Sequence, residues 1–307
     1  MTATCSTPRV SVLMAVLNPN PVYFSQAVQS ILAQTLIDFE LLIIEDPSPR
    51  LAAPLLAPFN DPRIRHYLNP QRTSLPQQRN KGLFAARSNL VAMFDADDLA
   101  EPDRLAKQVH FLETHPEITV LGSQIQIIDR AGQPRGYRQF PLNHEAILRA
   151  MPAFVPLSHP SVMLRRRPVL AADGYCFHEY PVAEDYELWS RLVQRGERFA
   201  NHSEALLRYR IHPEQMKYTH LRDTIRAILR VKEMHWAGAM DWRARGRSWI
   251  EWFMLALPPW LVLRLFMLTQ YRKCLTSATL PSSIHPVIEE AEISCVTKVF
   301  SASGDAG

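Results

Sequence analysis

Three aspartates close together in the chain could bind a metal ion and, through it, a phosphate. Asp95, Asp97 and Asp98 fall within four residues, and carboxylates so close repel one another unless a cation or hydrogen-bond donors compensate their charge. Mg²⁺ and Mn²⁺ use only one or two protein carboxylates and complete their coordination with water and phosphate oxygens. The spacing is therefore typical of a metal–phosphate site. A solvated acidic turn with helix-capping aspartates explains the same residues equally well.

Two further pairs of carboxylates also have two interpretations each. Glu45 and Asp46 follow an apolar run, where they could accept hydrogen bonds from a nucleobase imide or a ribose hydroxyl. Alternatively, Asp46 could simply begin the turn 46–49. Glu184 and Asp185 open a predicted helix. One of them could take a proton from a hydroxyl, or the pair could only cap the helix and favour its positive end.

Strands and helices that alternate along the first 130 residues position these groups. This alternation indicates parallel strands joined by crossover helices, and so an α/β fold with a Rossmann-like, mainly parallel sheet flanked by helices. Ligands of such sheets bind beyond the carboxyl ends of strands, where Glu45 and Asp95 both lie. Apolar runs predict strands at 10–16, 39–44, 63–67, 90–94 and 118–128, and helical spacing predicts helices at 22–34, at 75–86 and from Pro102.

The chain changes character after residue 212. Residues 219–247 are arginine-rich with a helical pattern, and residues 249–268 are almost wholly apolar apart from two charged residues and two prolines. The apolar stretch lacks the run of about 18 uncharged residues that marks a membrane-spanning helix. We expect a helical, partly hydrophobic extension over 216–274 and a flexible polar tail over 275–307.

The tryptophans of this extension allow two interpretations. Trp249, Trp252 and Trp260 lie among leucines and follow three arginines between residues 243 and 247. Such a segment could form an interfacial helix against anionic lipid, with peripheral membrane association through 248–274. It could equally form a hydrophobic hairpin packed on the preceding domain or on a second subunit.

Composition excludes several classes of protein. The 307 residues are 47% hydrophobic and 21% charged, which excludes a disordered chain. A net charge of +4 is too small to indicate nucleic acid as a partner. The four cysteines show neither metal-ligand spacing nor a disulfide pattern, and the N-terminus shows no export signal. We expect a cytoplasmic protein, held at the inner face of the cytoplasmic membrane if residues 248–274 bind lipid.

The order of these motifs resembles the family 2 inverting glycosyltransferases of the GT-A fold. The resemblance covers about two-thirds of the chain, from residue 10 to residue 212. Each match is short, but together and in this order they are a specific signal. The matching elements are 10–18 for the opening strand and loop, 30–35 for Ser-Ile-Leu-x-Gln-Thr, 39–48 for the strand before Asp-Asp-Gly-Ser, 79–83 for Arg-Asn-x-Gly, 94–98 for the DxD motif, 184–189 for Glu-Asp-x-x-Leu-Trp and 209–212 for Tyr-Arg-x-His.

The resemblance implies a nucleotide-sugar site with a metal ion. By it, Mg²⁺ or Mn²⁺ would bind at Asp97, Asp95 and His212, next to the donor diphosphate. Glu45 and Asp46 would contact the uracil or ribose. The full set of implied donor-binding residues is Val16, Asn18, Glu45, Asp46, Arg79, Asp95 and Ala96.

One position departs from the family pattern in the loop under the nucleobase. Pro47 stands where the family usually has glycine. Proline cannot adopt a positive φ, so this loop must turn differently.

Asp185, with Glu184, would be the catalytic general base by the same resemblance. Inversion needs a base on the face of the sugar opposite the departing diphosphate, and one carboxylate within hydrogen-bonding distance of the acceptor hydroxyl is sufficient. His159, in a Ser-His-Pro-Ser segment, is more typical of a structural loop histidine.

The function that the resemblance implies is transfer of a hexose-like sugar from a nucleotide-diphosphate donor, most typically a UDP-sugar, to a hydroxyl of a glycan or lipid-linked acceptor. Polysaccharide or other glycoconjugate synthesis would use this reaction. The resemblance also implies a GT-A domain over 1–215, with a nucleotide-sugar half over 1–130 and an acceptor half over 131–215.

Three alternative functions fit the sequence less well. A nucleotide-sugar pyrophosphorylase or a dinucleotide-dependent oxidoreductase needs a glycine-rich loop after the first strand, and this chain has none there. A catalytically inactive nucleotide-sugar-binding or membrane-scaffold protein is the remaining alternative. The joint presence of Asp95, Asp97 and Asp185 argues against it.

Overall fold

A mixed sheet runs through the centre of the computed structural model, which describes residues 7–176, 182–212, 221–258 and 261–262. Its strands are β1 (Val10–Val16), β2 (Phe39–Glu45), β3 (Ile64–Leu68), β4 (Leu90–Phe94), β5 (Leu99–Ala100), β6 (Ile118–Ile128), β7 (Pro134–Arg138), β8 (Met163–Arg165) and β9 (Arg198–Arg210). Their order in the sheet is β3-β2-β1-β4-β8-β6-β9-β5, and β7 pairs with β6. The α/β fold class is therefore confirmed.

Helices cover both faces of this sheet. They are α1 (Pro21–Leu32), α2 (Ala53–Leu56), α3 (Leu75–Ala85), α4 (Arg104–Thr114), α5 (His144–Ala150), α6 (Arg166–Ala171), α7 (Glu184–Gln194), α8 (Leu221–Trp236) and α9 (Trp242–Met254). Apolar residues of α1, α2 and α4 form a core on one face. Those of α3, α5, α6, α7 and α8 form a second core on the other face.

The first half of the sheet has the predicted parallel arrangement. β1 pairs in parallel with β2 and β4, and β2 pairs in parallel with β3. The predicted bounds of β1, β4 and β6 match the observed ones, and those of β2 and β3 differ by one residue. Because β1 and β2 are covered on both faces, their sequences are nearly continuous apolar runs, which made them easy to recognise.

The second half of the sheet is mixed. β8 runs antiparallel to β4 and β6, whereas β6 pairs in parallel with β9. β9 also pairs antiparallel with the short strand β5, just after the aspartate cluster. The sequence did not predict β8 or β9, because neither has a clear apolar period. The end of β9 therefore lies beside the end of β4, where the aspartates that could bind a metal ion lie.

Two helices beyond residue 220 pack on the sheet domain and on each other. The Trp236 indole N–H donates a 2.8 Å hydrogen bond to Ser190 Oγ on α7, and Val231 and Trp236 are buried in the same core as α7. Lys232 on α8 pairs with Glu251 on α9, with 2.6 Å between Nζ and Oε2. Helices are thus present where the sequence predicts a helical extension.

Some expectations concern residues outside this description. No helix within the described ranges is long and apolar enough to cross a membrane. The predicted tail 275–307, Trp260 and three of the four cysteines lie outside the described residues. The fourth cysteine, Cys176, is half-buried with a free thiol.

We expect Gly82→Ala to destabilise the protein, because α3 passes close to β1 at this glycine. A Cβ added there would lie 2.0 Å from Leu13 Cδ1, and Leu13 is itself buried. Overpacking should lower the free energy of unfolding by about 1–3 kcal/mol, measured by urea denaturation.

The double variant Gly82→Ala, Leu13→Ala should be more stable than the sum of the single losses predicts, because the shorter side chain leaves room for the new methyl group. Gly246→Ala is the matched control. No described atom lies within 4 Å of a Cβ added at Gly246 on α9, so this change should not destabilise the protein. A Gly82→Ala protein as stable as the wild type would contradict the close approach.

Candidate active site

The aspartates after β4 form a cluster that solvent can reach. One ligand oxygen from each of Asp95, Asp97 and Asp98 lies within 4.8 Å of the others. The side chains of Asp95 and Asp97 are 40% and 25% exposed, so an ion and its waters have access to their oxygens. Clustered carboxylate oxygens suit a hard divalent cation. The donor set therefore fits Mg²⁺ or Mn²⁺.

Asp98 has a different, structural environment. Its side chain is fully buried, and its Oδ1 accepts a 2.8 Å hydrogen bond from the backbone N–H of Arg210. The Arg210 guanidinium donates to the carbonyl oxygen of Asp97 at 2.8 Å and to Gln26 Oε1 at 2.9 Å. The end of β9 thus holds the loop after β4, and Asp95 and Asp97 are the aspartates with exposed oxygens.

His212 joins the cluster directly after β9. Its Nε2 lies 2.7 Å from Oδ2 of Asp97, and its ring centroid lies 5.3 Å from that of Tyr23 on α1. An imidazole beside a ligating carboxylate can bind the same ion or orient the carboxylate. The structure therefore brings together Asp95, Asp97 and His212, the three residues that the sequence predicts as metal ligands.

Two buried arginines near the cluster were absent from the predicted site. Arg104 on α4 donates a 2.8 Å hydrogen bond to the carbonyl oxygen of Met93. Burial lowers the pKa of Arg104 to about 10, against the opposing effect of Asp98 and Asp95, so it stays charged at neutral pH and offsets part of the negative charge. Arg210 lies in the Tyr-Arg-x-His motif, which could have identified it. Arg104 has no comparable signal in the sequence.

Glu45 supports the predicted nucleobase end from inside the protein. Its side chain has no exposed surface. Its Oε1 accepts a 2.7 Å hydrogen bond from the backbone N–H of Ala52, and its Oε2 lies 2.7 Å from His66 Nε2. A carboxylate so enclosed reaches a ligand only if the loop between β2 and α2 moves, so the contact of Glu45 with the uracil or ribose stays a prediction. In this conformation Glu45 fixes that loop.

Asp46 is held by the segment that precedes α3. The backbone N–H of Thr73 donates to its Oδ2 at 2.6 Å, and Asn69 Nδ2 donates to its Oδ1 at 2.6 Å. The residue is 1% exposed. A nucleobase can therefore reach the Asp46 carboxylate only if Thr73 moves.

The end of β1 lies next to this loop. The carbonyl oxygen of Val16 accepts hydrogen bonds from the N–H of Asp46 and from Gln78 Nε2, both at 3.1 Å. Asn18 is exposed, has a positive φ of 51° and donates its N–H to Ser48 Oγ at 3.0 Å. Val16 is therefore buried and shapes the loop, while the Asn18 side chain is accessible to a ligand.

Arg79 on α3 links the aspartate cluster to α7. Its Nη1 forms an ion pair with Oε1 of Glu184, and its Nη2 lies 4.0 Å from Oδ1 of Asp95. The Arg79 side chain is only 7% exposed. One guanidinium therefore bridges the end of β4 and the start of α7, so that the predicted donor-side and base-side carboxylates belong to a single site.

The two carboxylates at the start of α7 have different surroundings. Glu184 is buried against Arg79, whereas Asp185 is half-buried and accepts a 2.7 Å hydrogen bond from the N–H of Tyr186. Burial raises the pKa of Glu184 to about 7 and raises the pKa of Asp185 above its usual range, while the charge of Arg79 opposes both shifts. A carboxylate with a raised pKa is a stronger proton acceptor.

A buried aromatic group supports Arg79 on its other side. The Arg79 Cζ lies 5.5 Å from the centroid of the Tyr175 ring, and the Tyr175 hydroxyl lies 2.9 Å from His159 Nε2. The Asn80 side chain bonds both the N–H and the carbonyl of Tyr175, at 2.8 Å each. Burial and the nearby charge of Arg79 lower the pKa of His159 well below its usual value. His159 is therefore neutral and structural, as the sequence favours.

Several known proteins with similar sequences are described as glycosyltransferases. The model of "Glycosyl transferase family 2" matches residues 11–173. The putative glycosyltransferase EpsE of Bacillus subtilis is 32% identical over 217 residues, covering 69% of this chain and 76% of its own length. The amylovoran biosynthesis glycosyltransferase AmsE of Erwinia amylovora is 29% identical, covering 65% and 75%. An Escherichia coli UDP-Gal:alpha-D-GlcNAc-diphosphoundecaprenol beta-1,3-galactosyltransferase is 27% identical, covering 69% and 77%.

Solved structures show the same fold. S. aureus TarS 1–349 in complex with UDP-GlcNAc superposes with a TM-score of 0.59 at 15% identity, covering 84% of this chain and 83% of that one. Another TarS structure is longer, and this chain covers 44% of it. The mannosyltransferase PcManGT from Pyrobaculum calidifontis, in complex with GDP-Man and Mn²⁺, has a TM-score of 0.56 at 13% identity, covering 98% and 82%. These likenesses confirm the GT-A fold, and the family match shows that the chain belongs to glycosyl transferase family 2.

Proposed function

We propose that this glycosyltransferase transfers a sugar from a UDP-sugar to an acceptor hydroxyl with inversion at the anomeric carbon. The observation that carries the proposal is the position of Arg79, which pairs with Glu184 and lies 4.0 Å from Asp95. Arg79 thus lies between Asp95, which we propose as a ligand of the metal beside the diphosphate, and the Glu184-Asp185 pair. Such a two-sided arrangement suits in-line displacement, in which the base and the leaving group lie on opposite faces of the sugar.

The choice of donor is supported by the relatives. The E. coli galactosyltransferase is described as using UDP-Gal, and TarS has been crystallised with UDP-GlcNAc. In this chain Asn18 and Asp46 lie on the side where the nucleobase and ribose would bind, with Asp46 reached after Thr73 moves. We infer that Val16 and Glu45 act from behind this surface, as backbone and carboxylate supports of the binding loop.

A divalent cation fits the exposed aspartates. Asp95, Asp97 and His212 would hold Mg²⁺ or Mn²⁺, with Ala96 between the two aspartates against the donor. When bound, the ion supplies positive charge that stabilises the departing diphosphate. Arg104 and Asp98 act below this surface, where they hold the loop and balance its charge.

Asp185 is the proposed general base. Its half-buried carboxylate accepts the proton of the acceptor hydroxyl as the hydroxyl oxygen attacks the anomeric carbon and the bond to the diphosphate oxygen breaks. The raised pKa of Asp185 strengthens it as a base. Glu184 does not need to touch the acceptor, because its contact with Arg79 positions the start of α7.

The acceptor that we propose is a lipid-linked glycan used in polysaccharide or glycoconjugate synthesis. AmsE is named for amylovoran biosynthesis, and the E. coli relative acts on a diphosphoundecaprenol-linked sugar. A reaction on such an acceptor would take place at the inner face of the cytoplasmic membrane.

The function is tested by a donor screen that measures release of the nucleotide diphosphate in the presence of Mn²⁺ or Mg²⁺. UDP-sugars should give the highest rate. Asp185→Asn should lower kcat by about 10²- to 10⁴-fold, because it removes the proton acceptor, while donor binding measured by calorimetry stays close to that of the wild type. Absence of binding and of turnover with every nucleotide sugar would overturn the proposal.

On the acid side of the pH profile, kcat/KM should fall at a higher pH than the usual pKa range of a carboxyl group. Asp185 must be deprotonated to act, and burial raises its pKa and that of Glu184, so kcat/KM should rise with pH towards neutrality and then level off. Glu184→Gln should move this fall to lower pH, because Asp185 loses a negative neighbour and keeps the charge of Arg79. Glu187→Gln, in the same first turn but paired with Arg191, is the matched control and should leave the pH of this fall unchanged.

Metal dependence gives a separate test. Treatment with EDTA should abolish turnover, and Mn²⁺ or Mg²⁺ should restore it. Asp97→Asn should weaken Mn²⁺ binding by about tenfold or more, as measured by electron paramagnetic resonance of the free ion. Asp61→Asn, an aspartate paired with Arg63 before the amino end of β3, should bind Mn²⁺ like the wild type. Equal Mn²⁺ affinities of the Asp97 variant and the wild type would exclude the aspartate cluster as the metal site.

A further inference from the structure

One side of α9 carries large apolar side chains that point to solvent. We call this surface the α9 aromatic face. The exposed fractions of its members range from 58% to 76%. Most other exposed apolar residues of the described chain occur singly, whereas these five share thirteen residues of helix. The α9 aromatic face consists of Trp242, Trp249, Ile250, Trp252 and Phe253.

The opposite side of α9 packs on the rest of the fold, so α9 directs the aromatic face away from the described core. Ala244 and Met254 are buried. Glu251 pairs with Lys232 of α8 at 2.6 Å and accepts a 3.1 Å hydrogen bond from Arg247. The Arg247 guanidinium also lies 5.5 Å from the ring centroid of Phe154, in the acceptor half of the chain. These contacts determine which residues of α9 face outward.

Two arginines lie beside the aromatic face, and Asp241, directly before it, caps the helix by accepting a hydrogen bond from the N–H of Ala244. Arg243 and Arg245 are exposed on the same helix, and the Arg243 guanidinium lies 5.1 Å from the ring centroid of Trp242. Glu251 is directed inward to Lys232. Tryptophan prefers the interface between water and lipid, and arginine binds anionic headgroups. A helix with aromatic residues on one face and arginines beside them is typical of binding in the plane of a membrane surface.

The geometry points to the α9 aromatic face as the surface that binds the protein to an anionic lipid bilayer. This inference rests on the proposed lipid-linked acceptor. It identifies the surface that would hold the active site close to an acceptor in the membrane. α8 connects this face to the base, because Trp236 bonds Ser190 on α7, whose first residues are Glu184 and Asp185. The α9 aromatic face begins at Trp242, whereas the sequence suggests membrane association through 248–274.

Flotation of the full-length protein with lipid vesicles tests the inference. Vesicles of phosphatidylcholine with phosphatidylglycerol should bind the wild type, and vesicles of phosphatidylcholine alone should bind it more weakly. The double variant Trp249→Ser, Phe253→Ser should need about tenfold more lipid for half-maximal binding, because two exposed aromatic groups no longer enter the interface. Arg243→Gln with Arg245→Gln should reduce the preference for anionic vesicles and its dependence on salt.

Ile37→Ser, which removes an equally exposed apolar side chain from the loop between α1 and β2, is the matched control and should bind like the wild type. Release of nucleotide from the donor in solution should be unchanged in the Trp249, Phe253 variant, so loss of lipid binding is distinguished from loss of the proposed activity. Equal lipid binding by this variant and the wild type would overturn the inference. A wild-type protein that does not bind vesicles would also overturn the inference. If that wild type is a dimer that dissociates in the variant, the α9 aromatic face binds a second copy of the chain instead of lipid.

Discussion

The buried charge of Arg79 is the interaction on which the rest of the site depends. Removing a guanidinium from water has a large free-energy cost, and it is offset only when opposite charges lie close and well placed. Glu184 supplies such a charge by direct contact, and Asp95 supplies a second one at 4.0 Å. The same positive charge limits the rise in the pKa of Glu184 and Asp185. Arg79 therefore sets the spacing of Glu184 and Asp95, and it favours the ionised forms of Glu184 and Asp185.

Several packed elements hold this guanidinium at the required depth. α3 lies so close to β1 at Gly82 that an added Cβ would displace the Leu13 side chain. The Asn80 side chain forms hydrogen bonds with both the N–H and the carbonyl oxygen of Tyr175, and the Tyr175 ring lies beside Arg79. Because these contacts are buried and nearly all satisfied, a shift of α3 would disturb the active site together with the core. Stability and alignment of the site are coupled in this region.

The metal side depends on the mixed half of the sheet. β9 pairs with β6 and β5 and ends beside the loop after β4, where Arg210 holds Asp98 and Asp97 while His212 reaches the Asp97 carboxylate. Parallel strands alone would leave that loop as a solvated acidic turn. On the other side of the domain, α8 and α9 are anchored by Trp236 and Lys232, so the exposed aromatic residues have a fixed orientation relative to α7.

The sequence by itself determined the parallel half of the fold and indicated the residues that we propose for the site. Buried strands such as β1 and β4 are apolar on both faces and therefore visible as runs. The aspartates after β4 fit a metal–phosphate site or an acidic turn equally well, and the order of the other motifs favours the metal–phosphate site. The sequence did not predict the contacts of Glu45 with Ala52 and His66, because an acidic residue at a strand end looks the same whether it faces a ligand or the inside of the protein.

Only the tertiary structure decided how these groups act together. The contact between Arg79 and Glu184 and that between Asp97 and His212 join residues more than a hundred positions apart. The buried position of Arg104 and the outward direction of the α9 aromatic face likewise follow from packing. Local patterns report which side of an element is apolar, but burial, pKa shifts and ion pairs arise from neighbours that are distant in the chain, so they exist only once the sheet and its helices have assembled.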